Sequence, residues 1–286
     1  MKPDFFIIGL GQMGGSLALA IKKKKIARKV YGLDVEYQPE FGRLLDAYVA
    51  DLEEGIKKSD VIVLATPLMT IKKFVRKIGP IMEEKQILID TGSTKREIIK
   101  EMKKFSDRSM FGGHPMVGTV KQGTKAWNPE LFSGKPFFLC RPGDKINQES
   151  LEKVRKIIEA LGAVPIEVSA AAHDRYVALT SQLPYFISLA LFSLFLKKSR
   201  RNKEIEDFIA TGFLGATRLS LTTPAVGSGM LLTNQDNVAI IAEEFSQELK
   251  YLAGLMKKKR LEKKIAQICL EAGKRREMYE KAFPKN

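Results

Sequence analysis

Over the first 168 positions, short β-branched or aromatic runs alternate with longer stretches of helical period; after that, only helical period remains. Phe5-Phe6-Ile7-Ile8, Val61-Ile62-Val63-Leu64-Ala65 and Gln86-Ile87-Leu88-Ile89 are apolar almost without interruption, as in strands covered on both faces of a parallel sheet. Further strands are predicted at Lys29–Leu33, Ser109–Phe111, Pro136–Cys140 and Val164–Val168. Between them, helices are predicted from near Gln12, over Arg43–Asp51 running toward a short strand, over Met69–Ile78, and over Leu151–Leu161. The last repeats Leu151, Val154, Ile157, Ile158 and Leu161 at helical spacing. Ile56–Ser59 reads as a turn, and residues 119–135, with Gly123, Pro129 and Gly134, as irregular. From Ala170 onward four helices are predicted, Ala170–Lys197, Lys203–Ser220, Asp236–Lys257 and Glu262–Ala282. The expected organisation is a doubly wound α/β domain over 1–168 followed by an all-α domain over 169–286.

The join between the first strand and the first helix is Gly9-Leu10-Gly11-Gln12-Met13-Gly14. Gly9 suits a tight turn, Gly11 lets backbone approach a pyrophosphate, and Gly14 lets helix and strand pack closely, while the helix beginning at Gln12 and Met13 aims free N–H groups at phosphate. Lys29–Leu33 ends at Asp34, twenty residues beyond Gly14, where a carboxylate can accept from adenosine ribose hydroxyls and repel a 2′-phosphate. A GxGxxG alone is weak evidence. With strand, helix and acid in place it predicts a Rossmann-type dinucleotide domain that prefers NAD over NADP. Thr66-Pro67, leaving the strand at 61–65, are expected against the same dinucleotide, as is Thr91 after the strand at 86–89.

Composition changes this picture little. The 286 residues are 44% hydrophobic, enough for a sizeable core. No N-terminal targeting segment is read, and Leu183–Leu196, fourteen residues interrupted by Pro184, Ser188 and Ser193, is too short to span a bilayer, so no membrane association is expected. It reads as a buried helix, kinked at Pro184, whose surplus apolar surface suits a contact between two protomers. Cys140 and Cys269 lack partners at metal spacing; reduced thiols, a cytoplasmic protein and no metal are expected. The net charge of +15 is spread over Lys22–Lys25, Lys57-Lys58, Lys72-Lys73, Lys103-Lys104 and Lys257–Arg260 without aromatic interleaving, so no nucleic acid is expected, while an anionic substrate would be attracted.

Two loops carry candidate chemistry. Asp90-Thr91-Gly92-Ser93-Thr94-Lys95 leaves one strand; Ser93 or Thr94 could simply cap the next helix, with Glu97 completing a capping box on Thr94. Gly112–Thr119 places one of only two histidines, His114, in a loop at a strand exit, where an imidazole is suited to accept a proton near neutrality. A hydrogen-bonded structural histidine is the alternative.

These loops, together with His173-Asp174, Thr180-Ser181-Gln182-Leu183-Pro184-Tyr185 and Gly212-Phe213 through Ala216-Thr217-Arg218, resemble the prephenate and arogenate dehydrogenases of tyrosine biosynthesis. The resemblance implies NAD(P)-dependent oxidative decarboxylation of prephenate to 4-hydroxyphenylpyruvate; with NAD favoured by Asp34 and the apolar helix suited to a protomer contact, an NAD-dependent homodimer joined through its C-terminal helices is expected. His114 would accept the ring-hydroxyl proton, Ser93 would hydrogen-bond beside it and orient it, and Arg218 would bind a substrate carboxylate, against the alternative of a surface salt bridge. Gly118, Thr119, Gln182 and Tyr185 would contact substrate. Where the family commonly has Ser-His-Leu-Pro-His, this chain has Ser181-Gln182-Leu183-Pro184-Tyr185, so arogenate dehydrogenase or a dual-specificity cyclohexadienyl dehydrogenase stands as the alternative. His173 is read as an interdomain or helix-start hydrogen-bonder. β-Hydroxyacid and imine reductases are disfavoured because the first long helix after the sheet has no lysine before Lys197. A non-catalytic nucleotide sensor or nucleic-acid-binding protein is the remoter reading.

Overall fold

Successive residues of the central strands point to opposite faces of the sheet, and both faces are buried. Phe5, Ile7, Val61, Val63, Ile87 and Ile89 feed one apolar cluster, while Phe6, Ile8, Ile62, Leu64 and Leu88 feed another. This is why these runs show no polar alternation. In the computed structural model, residues 2–118, 123–143, 147–256 and 261–282 are described.

Eight strands form one sheet in the order β3-β2-β1-β4-β5-β6-β7-β8: β1 (Phe5–Ile8), β2 (Val30–Leu33), β3 (Ala47–Tyr48), β4 (Val61–Leu64), β5 (Ile87–Asp90), β6 (Ser109–Pro115), β7 (Pro136–Cys140) and β8 (Val164–Glu167). All neighbouring pairs are parallel except β6 with β7. The order reverses around β1, which has β2 on one side and β4 on the other, so the crevice at the carboxyl ends of β1 and β4 is where such sheets take a ligand. Helices α1 (Gln12–Lys23), α2 (Leu52–Lys57), α3 (Leu68–Ile78), α4 (Arg96–Met102) and α5 (Gln148–Ala160) intervene. They are followed by α6 (Ala170–Val177), α7 (Leu183–Ser199), α8 (Thr211–Thr217), α9 (Pro224–Leu232), α10 (Gln235–Leu255) and α11 (Leu261–Ala282). The chain divides into two compact units, 1–238 and 239–286. The second consists of the rest of α10 together with α11, where Lys264 lies 5.2 Å from the Tyr251 ring centroid.

Several expectations are corrected. Residues 43–51 do not form a helix. Pro39–Arg43 is a 3₁₀ turn, and Ala47 and Tyr48 pair with Tyr31 and Gly32 at the sheet edge, so strand pairing overrides local period. Asp51 accepts from the Glu54 amide and starts the unforeseen α2. The stretch expected as one helix over 203–220 breaks into a 3₁₀ turn (Lys203–Phe208), α8 and a second 3₁₀ turn (Arg218–Leu221), with Ile209 and Ala210 extended. The short α9 that follows was not foreseen. Pro184 occupies the first turn of α7, and the turn before it, Ala178–Gln182, is a π-helix: the backbone absorbs the missing proline N–H by widening one turn. The fourteen-residue apolar run thus lies in a continuous helical stretch, Ala170–Ser199, whose most apolar 18 residues have mean hydropathy 1.6, long and apolar enough by length and composition alone to cross a bilayer. Its buried His173, Asp174, Gln182 and Ser188 are hydrogen-bonded to neighbouring elements.

Candidate active site

The glycine turn is built as its spacing requires. Gly9 has φ +93°, and a Cβ there would lie 2.6 Å from the Ala65 carbonyl oxygen. A Cβ on Gly14 would lie 1.8 Å from the Gly9 oxygen, whereas Gly11 faces open space, leaving backbone accessible at the N-terminus of α1. At the end of β2, Asp34 accepts from the amides of Leu10 and Val35, which holds its carboxylate beside the turn. Gln12 Nε2 and Thr66 Oγ1 are buried with no hydrogen-bond partner among the described residues, and both residues line a cavity of about 620 Å³. Buried polar atoms are ordinarily paired, so these two fit a ligand that brings the missing partners. The donors, open backbone and carboxylate together suit a dinucleotide.

Met13, Pro67, Thr91, Ser93, His114, Gly118, Tyr185 and Arg218 line the same cavity. Thr119 lies outside the described residues. β5 and β6 pair only as far as Ile89 with Phe111, and beyond that point side chains replace the ladder. Asp90 accepts from the amides of Gly92 and Gly113, and the fully buried Lys95 donates to Asp90 and to the Gly113 carbonyl, gripping the peptide before His114. His114 therefore sits within a strand, near its end, and not in a loop as expected.

The helix after Ser93 is not closed by the expected capping box. The Asp174 carboxylate, from α6, accepts from the amides of Lys95 and Arg96, Thr94 hydrogen-bonds Thr233, and Glu97 pairs with Lys72. The same Asp174 accepts from His173 Nδ1 at 2.8 Å, and His173 Nε2 lies 2.9 Å from His114 Nδ1. With both rings neutral the tautomers follow: a carboxylate only accepts, so His173 carries its proton on Nδ1 and offers a lone pair at Nε2. His114 must then donate from Nδ1, which leaves its Nε2 as a free base. Burial above all, with the neighbouring His173 ring and the Lys95 charge adding to it, holds the His114 pKa well below the usual imidazole value.

His173, read from the sequence as an interdomain or helix-start hydrogen-bonder, reaches across from α6 to the His114 ring and holds its orientation, a task expected of Ser93. The available signal was a His-Asp dipeptide in a chain with two histidines. Gln182, expected at the substrate, is not among the cavity-lining residues. It is buried, donating to the Met230 carbonyl and accepting from Asn234, whose amide also donates to the Asp174 carbonyl. Tyr185 reaches the cavity wall because α9 has Gly227 there; a Cβ would lie 2.0 Å from the phenol oxygen. Arg218 follows α8 as the first residue of the 3₁₀ turn and is exposed, with no carboxylate partner among the described residues. Cys140 is buried, its thiol pushed up to about 12, consistent with an inert core residue.

Comparison with known proteins decides the family. Residues 17–167 match the model of the prephenate dehydrogenase nucleotide-binding domain, and 169–269 match that of the prephenate dehydrogenase dimerization domain. The chain belongs to the prephenate dehydrogenase family. As a family member it is a nucleotide-binding oxidoreductase; the glycine turn, upstream of residue 17, rests on its own geometry. Prephenate dehydrogenase of Bacillus subtilis is 27% identical over 256 residues, covering 87% of this chain and 69% of that one. Cyclohexadienyl dehydrogenase of Zymomonas mobilis is 28% identical over 255 residues, covering 86% of each. Among solved structures, A. aeolicus prephenate dehydrogenase in complex with hydroxyphenyl propionate and NAD+ superposes with a TM-score of 0.88 at 24% identity, covering 96% of this chain and 98% of that one. Synechocystis arogenate dehydrogenase does so with a TM-score of 0.79 at 26% identity, covering 96% and 99%. This dehydrogenase therefore shares both the sheet and the helical part of its relatives.

Proposed function

We propose that this protein catalyses NAD-dependent oxidative decarboxylation of prephenate to 4-hydroxyphenylpyruvate in the tyrosine pathway. The observation that carries the reading is that His114, its Nδ1 engaged by His173, and Arg218, without a carboxylate partner among the described residues, line one cavity with Gln12 and Thr66, whose side chains are unsatisfied among those residues. NAD, when bound, supplies the hydride acceptor. Gly9, Gly11 and Gly14 leave room for the pyrophosphate, Asp34 takes the adenosine ribose, and Gln12, Met13, Thr66, Pro67 and Thr91 flank the rest. Arg218 pairs with a substrate carboxylate through its planar fork. His114 Nε2 takes the proton of the ring hydroxyl as hydride leaves the carbon that bears it. Loss of the ring carboxylate as carbon dioxide then aromatises the ring, and His114 returns its proton to the same oxygen, so no proton is gained or lost overall. Ser93 hydrogen-bonds near that oxygen, and Gly118 and Tyr185 shape the wall.

A second reading, arogenate as substrate, is favoured by Tyr185, a neutral phenol on the cavity wall that would tolerate an ammonium. Relatives named as cyclohexadienyl and arogenate dehydrogenases are consistent with either substrate. We further assign the sheet to 1–168 and substrate binding and dimerisation to 169–286, and place the protein in the cytoplasm as a homodimer without nucleic-acid or membrane partners. The deciding experiment is a steady-state assay of prephenate and arogenate against NAD and NADP. NADH formation with either substrate is expected, and no turnover with any combination overturns the reading in favour of a nucleotide sensor. In the same assay His114→Asn should lower kcat by about 10²–10⁴-fold, the scale of general-base catalysis, while NAD affinity stays within about twofold.

A further inference from the structure

Trp127, the single tryptophan, lies in none of the regular elements and is not among the cavity-lining residues, yet its side chain hydrogen-bonds the glycine turn from outside it. Its indole N–H is shared between the carbonyl oxygens of Leu10 at 3.0 Å and Gly11 at 3.1 Å. The ring fills the space over Gly15, where a Cβ would lie 1.9 Å from Nε1, and rests against Phe41 with centroids 6.1 Å apart. The next residue anchors the same helix: the Asn128 amide donates to Ser16 Oγ at 3.0 Å.

A trans peptide points its N–H opposite its C=O. Holding the carbonyls of Leu10 and Gly11 on the Trp127 side therefore fixes the opposite bearing of the N–H groups of Gly11 and Gln12. Those are the amides at the start of α1, which its own hydrogen-bond ladder leaves unsatisfied and which a phosphate would use. The Gly11 carbonyl also accepts from the Gly15 amide at 2.9 Å, so there the indole adds a second restraint, while at the Leu10–Gly11 peptide it is the hold from outside the turn.

We propose that Trp127 is a positioning residue for the dinucleotide, aiming the Gly11 and Gln12 amides through its bifurcated hydrogen bond, with Gly15 present to admit the indole. This rests on the glycine turn being the nucleotide site. The test is calorimetric titration of the full chain with NAD+ and with NADH, alongside steady-state kinetics, for Trp127→Phe, Gly15→Ala and the double variant.

Trp127→Phe keeps the aromatic ring and removes the donor. Gly15→Ala keeps the donor and displaces it, in a helix that alanine favours intrinsically. Each should bind both nucleotides about tenfold more weakly, the scale of one lost hydrogen bond, with KM for NAD raised alike and kcat at saturation unchanged. Gly15→Ala drives a methyl into the indole and should lower the melting temperature while kcat is kept, and the double variant should bind no more weakly than either single one. Wild-type affinity in either variant overturns the proposal, as does a fall in kcat and melting temperature with no selective loss of nucleotide affinity. A Trp127→Phe chain that fails to fold also overturns it, since the indole would then serve the fold alone. Failure of the wild type to bind either nucleotide would instead remove the nucleotide site itself.

Discussion

At His114 the decisive facts are which nitrogen is engaged and how the ring is surrounded. With Nδ1 committed to His173 and the residue lining the cavity, the ring is a base in its resting state. Because burial depresses its pKa, the acid limb of kcat/KM should fall at a pH below the ordinary 6.5 of histidine; a pH profile with its acid limb above that value would contradict the assignment. Stability follows the same sign. A histidine harder to protonate when folded binds fewer protons than the unfolded chain once pH drops below about 6.5, so its contribution to stability declines from there toward the folded-state pKa. The imidazole and Arg218 were legible from short motifs. The roles of His173 and Gln182 were not, because each is defined by a partner distant in sequence: His114 for the one, Met230 and Asn234 for the other.

Among the elements, α4 is the most informative, because its N-terminus is satisfied by a carboxylate from another helix and not by its own first turn. Asp174→Asn keeps the shape but not the obligate acceptor: an amide can present N–H to His173 and reverse the tautomers of both rings. kcat is expected to fall by about 10²-fold or more, with calorimetric nucleotide affinity close to wild type; undiminished kcat would show that the imidazoles do not depend on it. At the crossing of α7 and α9, Gly227→Ala drives a methyl into the Tyr185 phenol and should cost about 1–3 kcal/mol of stability, read by denaturant unfolding. Adding Tyr185→Phe should recover part of that loss, whereas no recovery would place the strain elsewhere. Apolar period revealed the long helices and buried strands. It failed for Arg43–Asp51 and Lys203–Ser220, where edge pairing and extended residues at Ile209-Ala210 interrupt a plausible pattern.

For the whole molecule, a dimerization-domain match over 169–269 coincides with large apolar side chains left exposed on α7, including Leu194 at 54% and Phe186 at 41%. A homodimer of two 32.1 kDa chains is expected by light scattering, and Leu194→Glu should shift it toward monomer. A wild-type monomer at assay concentrations would exclude the proposed assembly. The broad division into sheet and helices was readable from where alternation ceased. The way the two are joined was not, since Asp174, Thr233 and Asp236 meet Lys95, Thr94 and Arg96 only after the chain has folded.

Asp174 also bears on how such enzymes can diverge. One carboxylate secures a helix of the sheet and dictates, through an imidazole, where the reactive lone pair sits, so neither task can drift without disturbing the other. A chimera that grafts the helices of a distant relative onto this sheet would inherit that dependence at a single atom pair. Its success would turn on whether the incoming acid lands within reach of two amides, long before any question of which ring the pocket prefers.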